Sequence, residues 1–480
     1  MRILDKIARM ISPASARSRY AVAKYDAAQT TVENAAHWAY ATDWDADREA
    51  SPDVRQILRK RSRYESGNNP WLKGMISTKA NGIIGTGPRL QVTTTTARLN
   101  DKIEADFAAW SRAIGLAAKL RTMRLAQTRD GEAFAVLFSN PALATTIKID
   151  LQIIEADCCR GDYRKTANDF EVDGIRYDQY GNPVAYYFTS HPGGGDVSGK
   201  GTWIPAENVI HLFEQERPGQ HRGIPELTQA LPIIALHRRY MLAMVNKMEN
   251  SANISGVIQT GELDGDDIDQ LEDDSTFKPF NLPRGAFVPL PRGYRLQSHM
   301  MVNPTESQTD FAQQVKLEVA WSLGLPRNVA FGDSSEYNYS SGRMDYQAYD
   351  KNLSIERHNI ETVCLAMIMR HWLREWWPQV QFRRQDPLPM TWFWDGRAHV
   401  DPVKEANAEA QRLATGTTTL AIECARQGMD WEAVQDQRLA EEAREARRRK
   451  ELGLPPKASA ATQPQQPEEP DEPEEAENAE

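Results

Sequence analysis

Two stretches concentrate the side chains that could do chemistry. Residues 331–352, FGDSSEYNYSSGRMDYQAYDKN, bring Asp333, Ser334, Ser335, Glu336, Tyr337, Asn338, Tyr339 and Arg343 close together. Acids, hydroxyls and a base at such spacing suit a catalytic loop, a binding loop or a polar connector. Residues 261–274, GELDGDDIDQLEDD, supply Asp264, Asp266, Asp267, Asp269 and Glu272. Carboxylates at that density could hold Mg²⁺ for a nuclease or an ATPase. They lack the spacing and central glycine of an EF-hand loop, and a solvated helix start favoured by the helix dipole explains them more simply.

Other groups are weaker candidates. Gly82, Gly85 and Gly87 read GxxGxG and precede a strand pattern instead of following one, so they are expected to turn the chain and not to cradle phosphate. His358, Glu361 and His371 do not match a zinc-helix spacing. Cys158 and Cys159 are adjacent, with no CxxC framework, which fits a reducing compartment. The sequence contains no GxxxxGK[ST], HExxH or GxSxG motif. Trp372, Trp376, Trp377, Trp392 and Trp394 lie among apolar neighbours and are expected to pack, not to stack on bases. The basic run from Arg444 to Lys450 alternates with glutamates, as on a charged helix end.

Charge narrows the classes further. The 480 residues carry a formal net charge of -10, yet residues 455–480 hold eight acids and one lysine, leaving -3 for the rest. A protein that clamps duplex DNA through many phosphate contacts shows a basic surplus, and this one does not. No apolar run approaches the ~20 residues needed to span a bilayer, so neither secretion nor a membrane span is expected.

The elements that must position these groups follow from periodicity. Residues 1–30 read as a basic amphipathic arm, 53–79 and 101–129 as helices, and DGEAFAVLF and LQIIEAD as short strands. Residues 175–177 and 184–188 form a hairpin across DQYGNP. An apolar stripe predicts a helix over 232–250, and a second over 306–323 ends at Gly324 and Pro326. Between these two lies an excursion of short strands carrying the acidic segment. After the polar loop, where Ser340 or Ser341 could cap, a long helix runs over 341–377, a strand-like segment follows to residue 394, and helices cover 402–428 and 431–452. The Pro- and Glu-rich tail is expected to be disordered.

With these elements in order, the chain resembles the lambda-family portal proteins of tailed phages and prophages. The segments that carry the likeness are NNPWLKGMISTKANGIIGTGPRLQ, DGEAFAVLF, LQIIEAD, VIHLFEQERPGQHRGIPELTQAL and NYSSGR, in the family's order over residues 30–440. The resemblance implies an α+β portal fold: a mixed α/β wing over 31–225, first stem helix 226–252, a small α/β clip 253–305, second stem helix 306–325 and tunnel loop 326–340. A long helix and return strand of the wing over 341–400 and a helical crown over 401–454 complete it.

It also implies a structural, non-enzymatic subunit of a homo-oligomeric ring, usually of twelve copies, through which double-stranded DNA enters and leaves a capsid. Terminase and head-completion proteins would dock on the clip, where Asp264, Asp266, Asp267, Asp269 and Glu272 lie, and capsid or scaffold protein is a further partner. No cofactor, metal or membrane is implied, and the expected location is the virion, assembled in the host cytoplasm. The polar loop from Asp333 to Arg343 becomes a moving part of the DNA passage, with a buried connector as the plainer alternative. A metal-dependent nuclease or ATPase of the packaging machinery, and a portal-like protein of a defective particle, are the competing readings.

Overall fold

The computed structural model describes residues 36, 38–161, 170–189, 201–253, 257–260, 294–297, 306–335, 338–384, 387–396 and 402–455. The expected basic arm, the acidic segment 261–274 and the acidic tail from residue 456 lie outside them.

After a one-turn helix, Ala46–Glu49, come helices α1 (Pro52–Asn68) and α2 (Pro70–Ile84), each with a proline in its first turn, where a missing N–H costs nothing. They replace the single helix expected over 53–79, because Asn69 is extended before Pro70. Gly85 (φ 54°) and Gly87 (φ 107°) then turn the chain into β1 (Arg89–Val92). Gly82 does not share in the turn. It lies within α2, where a Cβ would come 2.6 Å from the Tyr349 hydroxyl.

The helix expected over 101–129 is also two, α3 (Ala97–Ile114) and α4 (Leu116–Asp130), broken at left-handed Gly115. Next come β2 (Glu132–Ser139) and β3 (Ile149–Ile154), paired antiparallel, with β8 (Val209–Phe213) on the other edge of β2. Alternate residues of a strand face opposite ways. Ala133, Ala135 and Leu137 enter the main core, while Phe134 and Val136 enter a smaller one with Ile175, Tyr186 and Phe188. Burial on both faces explains the unbroken apolar run.

The hairpin expected over 175–188 is the centre of a four-stranded antiparallel sheet: β4 (Glu171–Val172), β5 (Ile175–Tyr177), β6 (Pro183–Thr189) and β7 (Gly201–Pro205). Asp178 accepts backbone N–H bonds from Tyr180 and Asn182 to close its turn.

Two long helices leave the body, α5 (Leu231–Asn253) and α6 (Glu306–Ser322). Between them, β9 (Val257–Thr260) pairs antiparallel with β10 (Tyr294–Gln297). A short helix, α7 (Arg327–Phe331), precedes α8 (Tyr339–Ile360), which passes through a π-helical turn, Glu361–Leu365, into α9 (Ala366–Trp376). The long helix thus begins two residues before the expected position 341. Among the described residues of the strand-like segment after it, β11 (Met390–Phe393) is the strand, and it pairs with β1.

The tryptophans pack as expected. Trp372 and Trp376 are buried and stacked, with Phe107 edge-on to Trp372 and Trp392. The expected 402–428 helix is split into α10 (Pro402–Ala414) and α11 (Leu420–Arg426), and α12 (Trp431–Glu451) follows. The fold is α+β. No helix of the described residues is long and apolar enough to cross a membrane.

Candidate functional site

The two protruding helices α5 and α6, and the loop after them, are rooted in buried charge. Arg55, Arg59 and Arg63, each four residues apart, share one face of α1. Arg59 Nε donates to Asp157 at 2.9 Å, and Arg63 donates to Asp130 and Asp157 at 2.6 Å each. Arg55 pairs with Asp173, a non-glycine residue at φ 41°.

At the centre is Glu132, fully buried on β2. Arg222 donates to both its carboxylate oxygens, at 2.8 and 2.6 Å, and Gly223 N–H adds a bond at 3.1 Å. Burial by itself would raise the Glu132 carboxyl, but Arg222 and His211 hold it well below the ordinary range. Burial pushes the His211 imidazole down, so its neutral Nε2–H donates to Glu132 across 3.1 Å.

A second cluster ties the segment before α5 to α8. Arg124 Nη1 lies 2.7 Å from Glu226, and its Nη2 lies 2.9 Å from Glu356. Lys79 reaches the same two carboxylates at 2.9 and 3.4 Å. Burial would raise the Glu226 carboxyl, but Arg124 and Lys79 bring it to about 2. Buried charges of this kind need partners on every side, so the clusters fix how the helix pair leaves the body.

None of Arg222, Glu132, Arg124 or Glu226 was singled out by sequence reasoning. The signals were a glutamate opening an apolar strand and an arginine repeat at helical spacing.

Above this base, α5 and α6 enclose a groove of about 460 Å³. Tyr240, Met241, Met244 and Met248 line one wall, Thr309, Ala312, Gln313 and Lys316 the other, and Phe331 and Asp333 close the end. The loop is locally ordered by Asp333. Its carboxylate accepts Ser335 Oγ at 2.6 Å, Ser335 N–H at 3.1 Å and Arg327 Nη2 at 3.0 Å, bonds that lower it to about 2.

The structure therefore brings Asp333 and Ser335 together, with Ser334 exposed between them. Asn338 is the N-cap of α8: it accepts Ser341 N–H at 2.8 Å, while its own N–H donates to Ser341 Oγ at 3.2 Å. The expected cap at Ser340 or Ser341 is corrected accordingly, because a cap must stand outside the helix and both serines are inside it. Tyr339 opens the helix instead of lying in the loop, and Arg343 is exposed in its first turns. Glu336 and Tyr337 lie outside the described residues, as do Asp264, Asp266, Asp267, Asp269 and Glu272. Among the described residues no group of three or more His, Cys, Asp or Glu is placed to hold a metal ion.

The chain is similar to several known proteins. One solved chain, from a structure titled "Neck of empty GTA particle computed with C6 symmetry", covers 85% of this chain and 95% of its own length, at 15% identity and a TM-score of 0.49. The "Probable portal protein" of Halomonas phage phiHAP-1 is 24% identical over 86% of this chain and 84% of its own length. "Portal protein B" of Escherichia phage lambda is 23% identical over 60% of each. The family model described as "Phage portal protein, lambda family" matches residues 32–357, which is more than half of the chain. The five segments and their order pointed to one family, and the chain belongs to it: the lambda family of phage portal proteins.

Proposed function

We propose that this structural subunit is non-enzymatic, needs no cofactor, and assembles into a ring of twelve copies at one capsid vertex, through which double-stranded DNA is packaged and later ejected. The family match over residues 32–357 carries this reading. In it, residues 31–225 and 341–400 form the wing, α5 and α6 the stem, 253–305 the clip and 401–454 the crown. Terminase, and afterwards head-completion proteins, dock on the clip through Asp264, Asp266, Asp267, Asp269 and Glu272. Capsid or scaffold protein surrounds the ring, and assembly takes place in the host cytoplasm.

The near-neutral body supports passage over grip. Duplex DNA carries a charge about every 1.7 Å, and a cationic sleeve would hold it against movement. Of the segment expected over 326–340, the part before α8, residues 326–338, acts as the tunnel loop, in which Asp333 and Glu336 discourage tight phosphate contact and Arg343, in the first turns of α8, touches the backbone or a neighbouring copy. Microscopy of the purified chain tests the whole reading: rings with a central hole are expected, and compact monomers would refute it. Shortening the loop is expected to change DNA retention or packaging while rings still form. Metal-dependent DNA cleavage or ATP turnover by the purified chain would favour the nuclease or ATPase reading instead.

A further inference from the structure

The helix pair presents two unlike sides. On one lies the methionine-lined groove, with Lys316 in its wall. At 100° per residue, Thr309, Ala312, Gln313 and Lys316 share one face of α6, and Phe311, Gln314, Glu318 and Trp321 form a stripe on the opposite face. On α5, Leu236, Arg239, Ala243 and Asn246 make the stripe turned away from Met241, Met244 and Met248. This back side leaves large apolar side chains in water: Trp321 is 82% exposed, Leu236 59% and Phe311 53%. Phe311 is braced edge-on against Tyr240 at 5.2 Å, so its outer half projects from a fixed position.

We infer that the groove of one copy receives the Phe311 side of the next copy, so that the contact joining neighbours is head-to-tail between opposite flanks of the same helix pair. This rests on the ring proposed above and names its contact. Three features select a second copy as the occupant. The knob and the groove lie at one level of the pair, since Tyr240 both lines the groove and braces Phe311. Each side carries a cation and an anion, Lys316 and Asp333 on the groove side and Glu318 and Arg239 on the back, so Lys316 can meet Glu318 and Asp333 can meet Arg239 when unlike sides face each other. Methionines make a soft wall suited to an aromatic anchor. A contact between unlike faces repeats around a closed ring, whereas like faces would stop at a dimer.

The test uses two full-length chains, one carrying only Met244→Cys and the other, tagged to differ in size, only Phe311→Cys. The native cysteines among the described residues, Cys158, Cys159, Cys364 and Cys424, are buried and do not compete. Co-assembled and oxidised, the mixture is expected to give covalent pairs of the two chains, and neither chain alone should give a covalent dimer. Rings visible by microscopy without mixed pairs, or dimers of either single-cysteine chain, would overturn the contact and leave the ring intact. Failure of the unsubstituted chain to form rings would instead overturn the ring. As a second readout, Glu318→Lys should lower the ring fraction severalfold and Lys316→Glu in the same chain should restore it. No restoration counts against the pairing.

Discussion

Arg222 grips Glu132 with both arms of its guanidinium, 2.8 and 2.6 Å from the two carboxylate oxygens, and neither side chain reaches solvent. The two residues are 90 positions apart and join the segment that launches α5 to the central strand of the body.

Removing one partner of this fork leaves the other charged and buried. Arg222→Ala is expected to cost about 3–5 kcal/mol. Replacing both, as Glu132→Gln with Arg222→Met, should cost less than the sum of the two single changes. Chemical denaturation of the four proteins measures the coupling, and strict additivity would contradict it.

Acid should undo the base of the helix pair. The Glu226 carboxyl lies at about 2 in the folded chain, against an ordinary 4.5, and Glu132 is also held low. A depressed acid contributes stability that is fully present above the unfolded value and is lost as pH falls through the folded one. Unfolding midpoints should therefore drop between pH 4.5 and 2, and Glu226→Gln should show a shallower fall from a lower start.

Glu104 predicts the opposite slope. It lines a cavity of about 470 Å³ between α3 and β1, accepts Val92 N–H at 2.6 Å, and has its carboxyl raised to about 7. Burial is the main cause, opposed by the Val92 bond and helped by Asp430, Glu432 and Asp101. A raised acid binds its proton more tightly when folded, so stability falls as pH rises from 4.5 towards 7. Glu104→Gln keeps an acceptor for Val92 and should flatten that part of the melting-temperature profile.

The cap of α8 can be assigned by substitution. Asn338→Ala should cost about 0.5–2 kcal/mol. Ser340→Ala should be nearly neutral. Equal losses at the two positions would contradict the cap geometry.

The sequence foretold most elements because their apolar periods are strong, as in α3 and α9. Boundaries failed where one residue changes the backbone: Gly115 splits a helix whose pattern runs on, and the cap at Asn338 starts α8 two residues before the expected position 341. The charged base was illegible for a different reason. Arg222, Glu132 and Asp173, like Arg124, Glu226 and Glu356, are distant in the chain, and each is an ordinary surface residue until the fold brings its partners together. At the loop, residue types alone allowed catalysis; the observed roles of Asp333 and Asn338 are turn and cap.

The pairing of β1 with β11 bears on the order in which the chain is made. Leu90 meets Trp392, so this two-stranded sheet is closed by residues roughly 300 positions apart. At ~5–20 residues per second, synthesis takes roughly 15–60 s to travel from one strand to the other. During that interval both protruding helices have left the ribosome, while Phe107 still waits for Trp372 and Trp392. The apolar faces of both helices are thus synthesised before the strand that closes the body, so the chain holds them unlocked until that strand follows.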